Sequence, residues 1–262
     1  YHRCVDQGTV RIAFDRPEVR NAFRPSTVDE LYRTLDHARM SPRIGTVLLT
    51  GNGPSPRDGG WAFCSGGDQR VRGDGGYVGG DGVPRLNVLE LQKKIRTLPK
   101  PVIAEVHGIA TAAGCQLVAQ CDLAVAADDV RFATSGINVG LFCGTPMVAV
   151  TRNLPRKQAM EMLLTGDFID AATAERYGLI NKVVSAADLD QAVQELAGAV
   201  AKQGPAFIAA GKRLFYRQIE DGLTEAYQEA TRTMVENMQI DEARDGISAF
   251  LNKRAMPDWQ DR

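Results

Sequence analysis

The sequence predicts an α/β protein, with a core of alternating strands and helices followed by a region made of helices. Up to about residue 145, short apolar runs alternate with segments whose apolar residues recur at helical spacing. Beyond that point almost every pattern is helical, which adds a helical region to the α/β core. The length of 262 residues and the hydrophobic content of 44% suit one large domain with an appended part.

Four segments have the pattern of strands. Residues 10–14 alternate between apolar and polar side chains. Residues 46–50, 102–106 and 123–126 are short and almost continuously apolar, as in strands that are buried on both faces.

Helices are predicted where apolar residues lie three and four positions apart. One begins at Pro25, because proline suits a first helical turn, and another spans 86–98 and ends before Pro99. Asp170 is the predicted N-cap of a further helix and Gly178 its C-terminal stop. Including that helix, the remaining predicted ones are 114–120, 156–164, 171–177, 189–200, 223–234 and 241–251.

Composition excludes several classes of protein. Lys+Arg total 31 and Asp+Glu total 32, so a net charge of -1 gives no long-range attraction for nucleic acid or an anionic membrane. No apolar run reaches the roughly 18 residues of a membrane span, and residues 1–8 lack a signal-peptide core. The five cysteines are scattered and odd in number, which favours reduced thiols. We therefore expect a cytoplasmic protein, and no metal site, because there is no CxxC pair.

Glycine is concentrated in one stretch, with 12 of the 26 glycines between residues 51 and 82. Most of these glycines are predicted to serve two flexible loops, one before and one after residues 63–68. The second loop, at 73–82, is nearly of low complexity and is predicted to be a mobile cover that carries Tyr77.

Two loops could hold a ligand with their backbone. Gly66 and Gly67 let the chain approach a ligand closely and point an N–H group at it. The small residues of 108–116 form a turn that leads into a helix start, where unpaired N–H groups stabilise an anion. Each loop alone also has a structural interpretation: a turn with Asp68 as N-cap, or close helix packing.

The order and spacing of several motifs match one superfamily. In these motifs the chain resembles the crotonase (enoyl-CoA hydratase/isomerase) superfamily over nearly its whole length. The resemblance implies a crotonase-type spiral of ββα turns over 1–195, which binds acyl-CoA, and a helical oligomerisation region over 196–262. It also implies trimers that usually pair into hexamers. The motifs are 14–17, 21–23, 63–68, 99–104, 108–122, 165–166, 174–180 and 249–254.

The resemblance implies an acyl-CoA thioester as substrate, with coenzyme A as part of it and no tightly bound cofactor. Gly67 and Ala113 match the two residues whose backbone N–H groups hold the thioester carbonyl as it becomes an enolate. The positions that match contacts to coenzyme A are Arg24, Ser65, Phe250 and Lys253.

The acid/base groups differ from those of familiar hydratases. The two hydratase glutamates match Gln116 and Gly136, so the two-glutamate hydration mechanism lacks its base and its acid. His107 is predicted to be structural. The candidate catalytic side chains that remain are Tyr77, Gln116 as a hydrogen-bond donor, Cys143 and Asp68, and the last two also suit a core residue and an N-cap.

Two branches of the superfamily are recognisable. Residues 15–25, 51–55 and 59–69 resemble the 1,4-dihydroxy-2-naphthoyl-CoA synthases, the ring-closing lyases of menaquinone synthesis, and Tyr77 matches their active-site tyrosine. Gly136 matches the glycine of bicarbonate-using forms, which makes bicarbonate a candidate cofactor. However, Leu141, Cys143 and Met238 stand where those enzymes have a serine, the catalytic aspartate and a tyrosine. From about residue 123 onward the chain resembles enoyl-CoA hydratase domain-containing proteins.

Three functions follow as alternatives. The first is a hydratase-like lyase that stabilises a thioester enolate, and the second is naphthoyl-CoA synthesis. The third is acyl-CoA binding without catalysis, which the loss of both hydratase carboxylates favours. The expected partners are the acyl-CoA substrate and further copies of the chain, not nucleic acid or a membrane.

Overall fold

The computed structural model describes residues 8–71 and 87–259, the first three residues of the second range by their backbone alone. These ranges contain eight strands and ten helices. The strands are β1 (Thr9–Phe14), β2 (Thr46–Gly51), β3 (Val102–Val106), β4 (Ile109–Thr111), β5 (Leu123–Ala127), β6 (Arg131–Ala133), β7 (Ile169–Asp170) and β8 (Lys182–Val184). The helices are α1 (Pro25–Met40), α2 (Asn87–Thr97), α3 (Ala113–Gln120), α4 (Gly144–Val150), α5 (Arg156–Thr165), α6 (Ala171–Tyr177), α7 (Leu189–Ala201), α8 (Pro205–Gln218), α9 (Leu223–Gln239) and α10 (Asp241–Leu251).

The strands form two sheets that the chain visits in turn. The larger sheet is entirely parallel, in the order β1-β2-β3-β5-β8, and the smaller has the order β4-β6-β7. β3, β4 and α3 follow one another, and β5, β6 and α4 repeat the pattern with each strand parallel to its counterpart. This is a spiral of ββα turns, so the predicted fold class is confirmed.

The core lies between the larger sheet and the helices around it. Every residue of β2 and β3 is buried, which is why both strands read as continuous apolar runs in the sequence. α1 adds Val28, Leu31 and Leu35, which recur at helical spacing on its buried face.

The helix α7 belongs to this core. It buries Leu189, Val193, Ala197 and Ala201 and packs on β1, β2, β3 and β5. The predicted division between residues 195 and 196 lies within α7. The division itself stays a prediction. The first helices without any buried residue are α8 and α9.

A buried polar cluster fastens α8 to the core. The Lys212 ammonium donates to a carboxylate oxygen of Asp122 at 2.6 Å and to the carbonyl oxygens of Ile95 and Lys100. The Tyr216 hydroxyl donates to the other oxygen of Asp122 at 2.8 Å. Burial and the nearby carboxylate raise the pKa of Tyr216, so the phenol keeps the proton that it donates.

The helices after α7 expose many large apolar side chains. Phe215 and Ile219 lie at the end of α8, and every large apolar residue of α9 is exposed. An exposed set of this size is typical of a surface that another protein chain covers. The set is Phe215, Ile219, Leu223, Tyr227, Met234, Val235, Met238, Ile247, Phe250 and Leu251.

Most of the predicted elements are confirmed within two residues of their bounds. Asp170 accepts a hydrogen bond from the Thr173 N–H, and Gly178 adopts a left-handed conformation at the end of α6, both as predicted. One prediction is wrong: 109–111 is not a turn but the strand β4, because its backbone pairs with β6 and with the segment around Cys64. Sequence patterns also missed the short strands β6, β7 and β8 and the helices α4 and α8.

Two glycines before residues 63–68 lie where another group comes very close. A β-carbon at Gly53 would lie 2.6 Å from the Trp61 ring, and one at Gly51 would overlap the carbonyl oxygens of Ala62 and Phe63. Residues 56–59 are exposed, and the flexibility of this loop stays a prediction. The other half of the cluster, including Tyr77, lies outside the described residues.

The described residues hold no long apolar helix and no metal-ligand group. None of their helices is long and apolar enough to cross a bilayer. No group of three or more potential metal ligands is found among them either. Cys64, Cys115, Cys121 and Cys143 are buried and free.

Candidate active site

Two segments that are far apart in sequence are joined side by side. The Phe63 N–H donates to the Ile109 carbonyl at 2.9 Å, and the Thr111 N–H donates to the Cys64 carbonyl at 3.1 Å. The Thr111 hydroxyl then donates to the Ser65 carbonyl at 3.2 Å. The predicted Gly67 loop and the strand that leads to Ala113 therefore form one backbone ribbon.

Two glycines make this close approach geometrically feasible. A β-carbon at Gly114 would overlap the carbonyl oxygen of Cys64. Gly66 has a φ of +92°, and a β-carbon there would lie 3.2 Å from both the Thr111 oxygen and the Ala113 nitrogen. Any side chain at Gly66 or Gly114 would push the two segments apart.

The ribbon ends at the two predicted donors, the N–H groups of Gly67 and Ala113. Gly67 is held from both sides, because Phe23 donates to the Gly66 carbonyl and accepts from the Asp68 N–H, each at 2.9 Å. Ala113 is the first residue of α3, where an N–H has no partner within the helix. Among the described hydrogen bonds, neither donor is used. Two such groups, one at a helix N-terminus, can stabilise an oxyanion.

The residue before the second donor is strained. Ala112 has φ +50° and ψ -119°, a region that non-glycine residues rarely adopt, and its N–H donates to the Ala133 carbonyl at 2.9 Å. This conformation turns the chain from β4 into α3 and so sets the direction of the Ala113 N–H.

Replacing Ala112 with glycine is expected to stabilise the protein. The change relieves the positive φ and should raise the free energy of unfolding by about 1 kcal/mol, measured by urea denaturation. Ala113→Gly is the matched control, because Ala113 has helical geometry and glycine there should lower stability slightly. Equal effects of the two changes would contradict the interpretation of strain.

Asp68 is an ionised anchor. Its buried carboxylate accepts hydrogen bonds from the Arg70 side chain at 2.8 and 2.9 Å and from Arg16 at 3.1 Å. It also accepts the Arg70 N–H, as an N-cap would. Arg70 and Arg16 hold the pKa of Asp68 far below its usual range, against the opposing effect of burial. A carboxylate held in this state cannot donate a proton near neutral pH. Asp68 therefore fits the interpretation as an N-cap better than that as a catalytic acid.

The stability of the protein should depend on the ionisation of the Asp68 carboxylate. A lowered pKa in the folded state contributes stability that is present above the unfolded value of about 3.9 and is lost as the pH falls further. The free energy of unfolding should therefore decline more steeply below about pH 4 in the wild type than in Asp68→Asn. Urea denaturation at pH 5, 4 and 3 measures the difference, and parallel profiles would refute it.

Gln116 lies in the first turn of α3, three residues after the Ala113 donor. It is 4% exposed, and its Oε1 atom has no hydrogen-bond partner among the described residues. Residues three apart on a helix share a face, so the Gln116 side chain lies on the same side of α3 as the Ala113 side chain. It can orient a ligand by hydrogen bonds but cannot carry a catalytic proton.

Cys143 and Gly136 are in direct contact. The Gly136 N–H points to the Cys143 Sγ at 3.3 Å, and burial raises the pKa of this thiol. A β-carbon at Gly136 would overlap the Leu141 carbonyl oxygen and lie 2.8 Å from the Cys143 Sγ. A carbonyl oxygen and a protonated thiol thus lie beside Gly136. Bicarbonate as a cofactor stays a prediction.

No described hydrogen bond, ion pair or ring contact joins Arg24 or Ser65 to the other residues that are predicted to contact coenzyme A. Arg24 is exposed and precedes α1, where its N–H donates to the Thr27 hydroxyl; it lines a groove of about 330 Å³ beside β1. The Ser65 N–H already donates to the Arg20 carbonyl. Phe250 and Lys253 are exposed at the end of α10, which packs on α9.

His107 has the structural role that the sequence predicts. Its Nε2 atom lies 3.2 Å from the buried carboxylate of Glu105, and its ring stacks on Trp61 at 4.9 Å. Arg11 pairs with the same carboxylate at 3.1 Å. Burial raises the pKa of Glu105, but His107 and Arg11 lower it more. These contacts fix the end of the ribbon that lies opposite the two donors.

The match to a family model spans residues 5–262, and the chain belongs to the enoyl-CoA hydratase/isomerase family. It is 47% identical to the 1,4-dihydroxy-2-naphthoyl-CoA synthase of Mycolicibacterium smegmatis, over 99% of this chain and 88% of that protein. It is 39% identical to the mitochondrial enoyl-CoA hydratase domain-containing protein 3 of Xenopus laevis, over 97% of this chain and 84% of that protein. Both likenesses thus extend over nearly the whole chain.

Solved structures show the same relationship. The crystal structure of an enoyl-CoA hydratase of Mycobacterium smegmatis matches with a TM-score of 0.87 and 41% identity, over 98% of this chain and 97% of that one. Human enoyl coenzyme A hydratase domain-containing protein 3 matches with a TM-score of 0.86 and 38% identity, over 96% of both chains. The predicted superfamily is therefore confirmed.

Proposed function

We propose that the protein is a lyase that binds an acyl-CoA thioester and stabilises its enolate between the N–H groups of Gly67 and Ala113. The observation that carries the proposal is the backbone ribbon, which holds two unused donors side by side. An enolate gathers negative charge on the thioester oxygen, and fixed N–H donors are worth most where such charge develops.

The described side chains around these donors limit which acid/base groups the reaction can use. Gln116 and Gly136 provide no carboxylate, and Asp68 is held ionised by two arginines. Water addition by a pair of glutamates is therefore not available to this protein. The protein supplies the oxyanion hole and the Gln116 amide, while the acid/base group is predicted to be Tyr77 or the Cys143 thiol.

Ring closure of the naphthoyl-CoA synthase type is the second candidate function. The 47% identity to the enzyme of Mycolicibacterium smegmatis favours it. A panel of crotonyl-CoA, longer enoyl-CoAs and o-succinylbenzoyl-CoA separates the two candidates by product. Binding of the panel without turnover would leave the protein as an acyl-CoA-binding member without catalysis.

Self-association is part of the proposal. Phe250 and Lys253 are exposed far along the chain from Ser65, and the apolar surfaces of α8, α9 and α10 lack a cover within the described chain. A trimer or hexamer would cover these surfaces, and sedimentation tests it. The cytoplasmic location and the absence of a tightly bound cofactor remain predictions.

A further inference from the structure

A cavity of about 340 Å³ lies between α8 and the segment that joins α2 to β3. Leu98, Pro99 and Ala209 give it apolar walls, and Arg213 and Arg217 line it one turn apart on α8. A concave space of this volume, with apolar walls and a few polar groups, is typical of small-molecule sites. No residue of the backbone ribbon is among its described lining residues, so the cavity is distinct from the candidate active site.

Most polar side chains of the cavity wall already have partners in the protein. The Tyr216 hydroxyl donates to Asp122, and the Thr97 hydroxyl donates to a carbonyl oxygen of α2. The Arg96 guanidinium lies 4.9 Å over the Tyr216 ring and donates to the Glu220 carboxylate at 2.7 Å. These side chains therefore hold the wall together and are not available to a ligand.

Arg213 is the charged group of the wall that is available to a ligand. Its side chain is exposed, and it has no hydrogen bond or ion pair among the described residues. Arg217 pairs with Glu229 through one Nη1–Oε1 contact of 2.7 Å, which leaves other N–H donors of its guanidinium unused. Because Arg213 and Arg217 share a face of α8, they can bind one anionic group together.

The charges around the cavity also favour an anion. Each of two glutamates near its rim is shared by two arginines, and Arg213 adds a further positive charge. Asp221 is exposed after the end of α8 but does not line the cavity. Positive charge is therefore in excess here, although the whole chain carries a net charge of -1. The shared pairs are Glu220 with Arg96 and Arg152, and Glu229 with Arg217 and Arg232.

We propose that this cavity binds an amphipathic carboxylate, an alkyl acid of medium chain length. Its carboxylate pairs with Arg213, since a guanidinium matches the two oxygens of a carboxylate. Its alkyl chain lies against Leu98, Pro99 and Ala209, which a small inorganic anion would leave uncovered. The site is additional to the proposed lyase function and does not depend on it.

Octanoate, below its micellar concentration, is the probe that tests the site. Its affinity for the full chain is measured by calorimetry for the wild type, Arg213→Gln and Arg33→Gln. Arg33 is an exposed arginine on α1 and serves as the matched control. Arg213→Gln should weaken octanoate about tenfold, the loss expected for one charged hydrogen-bond partner, and the control should leave it unchanged.

The chain and the charge are tested separately. Octanol lacks the carboxylate, and acetate and inorganic phosphate lack the chain, so each should bind at least tenfold more weakly than octanoate. Ala209→Phe keeps Arg213 but fills part of the cavity, and it should weaken octanoate as well. Octanoate should raise the Tm of the wild type and of Arg33→Gln more than that of Arg213→Gln.

Four results would overturn the proposal. They are no binding of octanoate to the wild type, equal affinity of octanoate for the wild type and Arg213→Gln, and acetate or phosphate binding as tightly as octanoate. The fourth is displacement of octanoate by crotonyl-CoA, which would place the acid in the candidate active site instead. Failure of this site leaves the proposed lyase function untouched, because turnover of the acyl-CoA panel is measured without octanoate.

Discussion

Replacing Ala113 with proline is expected to lower kcat by about 10²- to 10³-fold, the loss typical of one missing oxyanion-hole donor. Proline has no N–H, yet it suits the first position of a helix, where Ala113 lies. The change therefore removes the donor while α3 can still form. Turnover of the best substrate from the acyl-CoA panel measures the effect.

Ala113→Gly is the matched control, because it keeps the N–H group and should keep most of the activity. Circular dichroism and Tm establish that the proline variant is folded. A folded proline variant with unchanged kcat would show that the Ala113 N–H does not hold the reacting oxygen.

Replacing Lys212 with methionine is expected to lower the free energy of unfolding by about 3–5 kcal/mol. Methionine keeps the volume but leaves the buried Asp122 carboxylate without its cation, and only the Tyr216 hydroxyl and the Val102 N–H still donate to it. The same change frees α8 from the carbonyl groups of Ile95 and Lys100. Urea denaturation gives the loss.

Arg213 is the natural comparison, since it follows Lys212 on α8 and is exposed. Arg213→Met should change stability by no more than about 0.5 kcal/mol. Similar losses for both variants would mean that the loss of a positive charge on α8, and not the loss of the buried cluster, lowers the free energy of unfolding.

The Gly67 and Ala113 donors were assigned from the resemblance to the superfamily, and their role as an oxyanion hole stays a prediction; what the structure adds is that the two loops lie together. The sequence shows Gly66 and Gly67 in one loop and a run of small residues before α3 in another. The strain at Ala112 could not be predicted, because no sequence pattern indicates that an alanine will adopt a positive φ. Nor was the pairing of Asp68 with Arg16, which joins residues 52 positions apart.

Composition does not distinguish the roles of the glycines in the first half of the glycine cluster. Glycine serves equally a flexible loop and a place where another group must come very close, and sequence alone does not separate the two. At Gly53 the close group is the Trp61 ring.

Gly136 has an implication for how the family diversifies. The position matches a hydratase glutamate, and a glycine codon can become a glutamate codon in one step. Here any β-carbon would meet the Leu141 carbonyl oxygen, so such a mutant must first rebuild the backbone around Leu141 and Cys143. A single Gly136→Glu change is therefore not enough to supply this carboxylate, because the neighbouring backbone has to move with it.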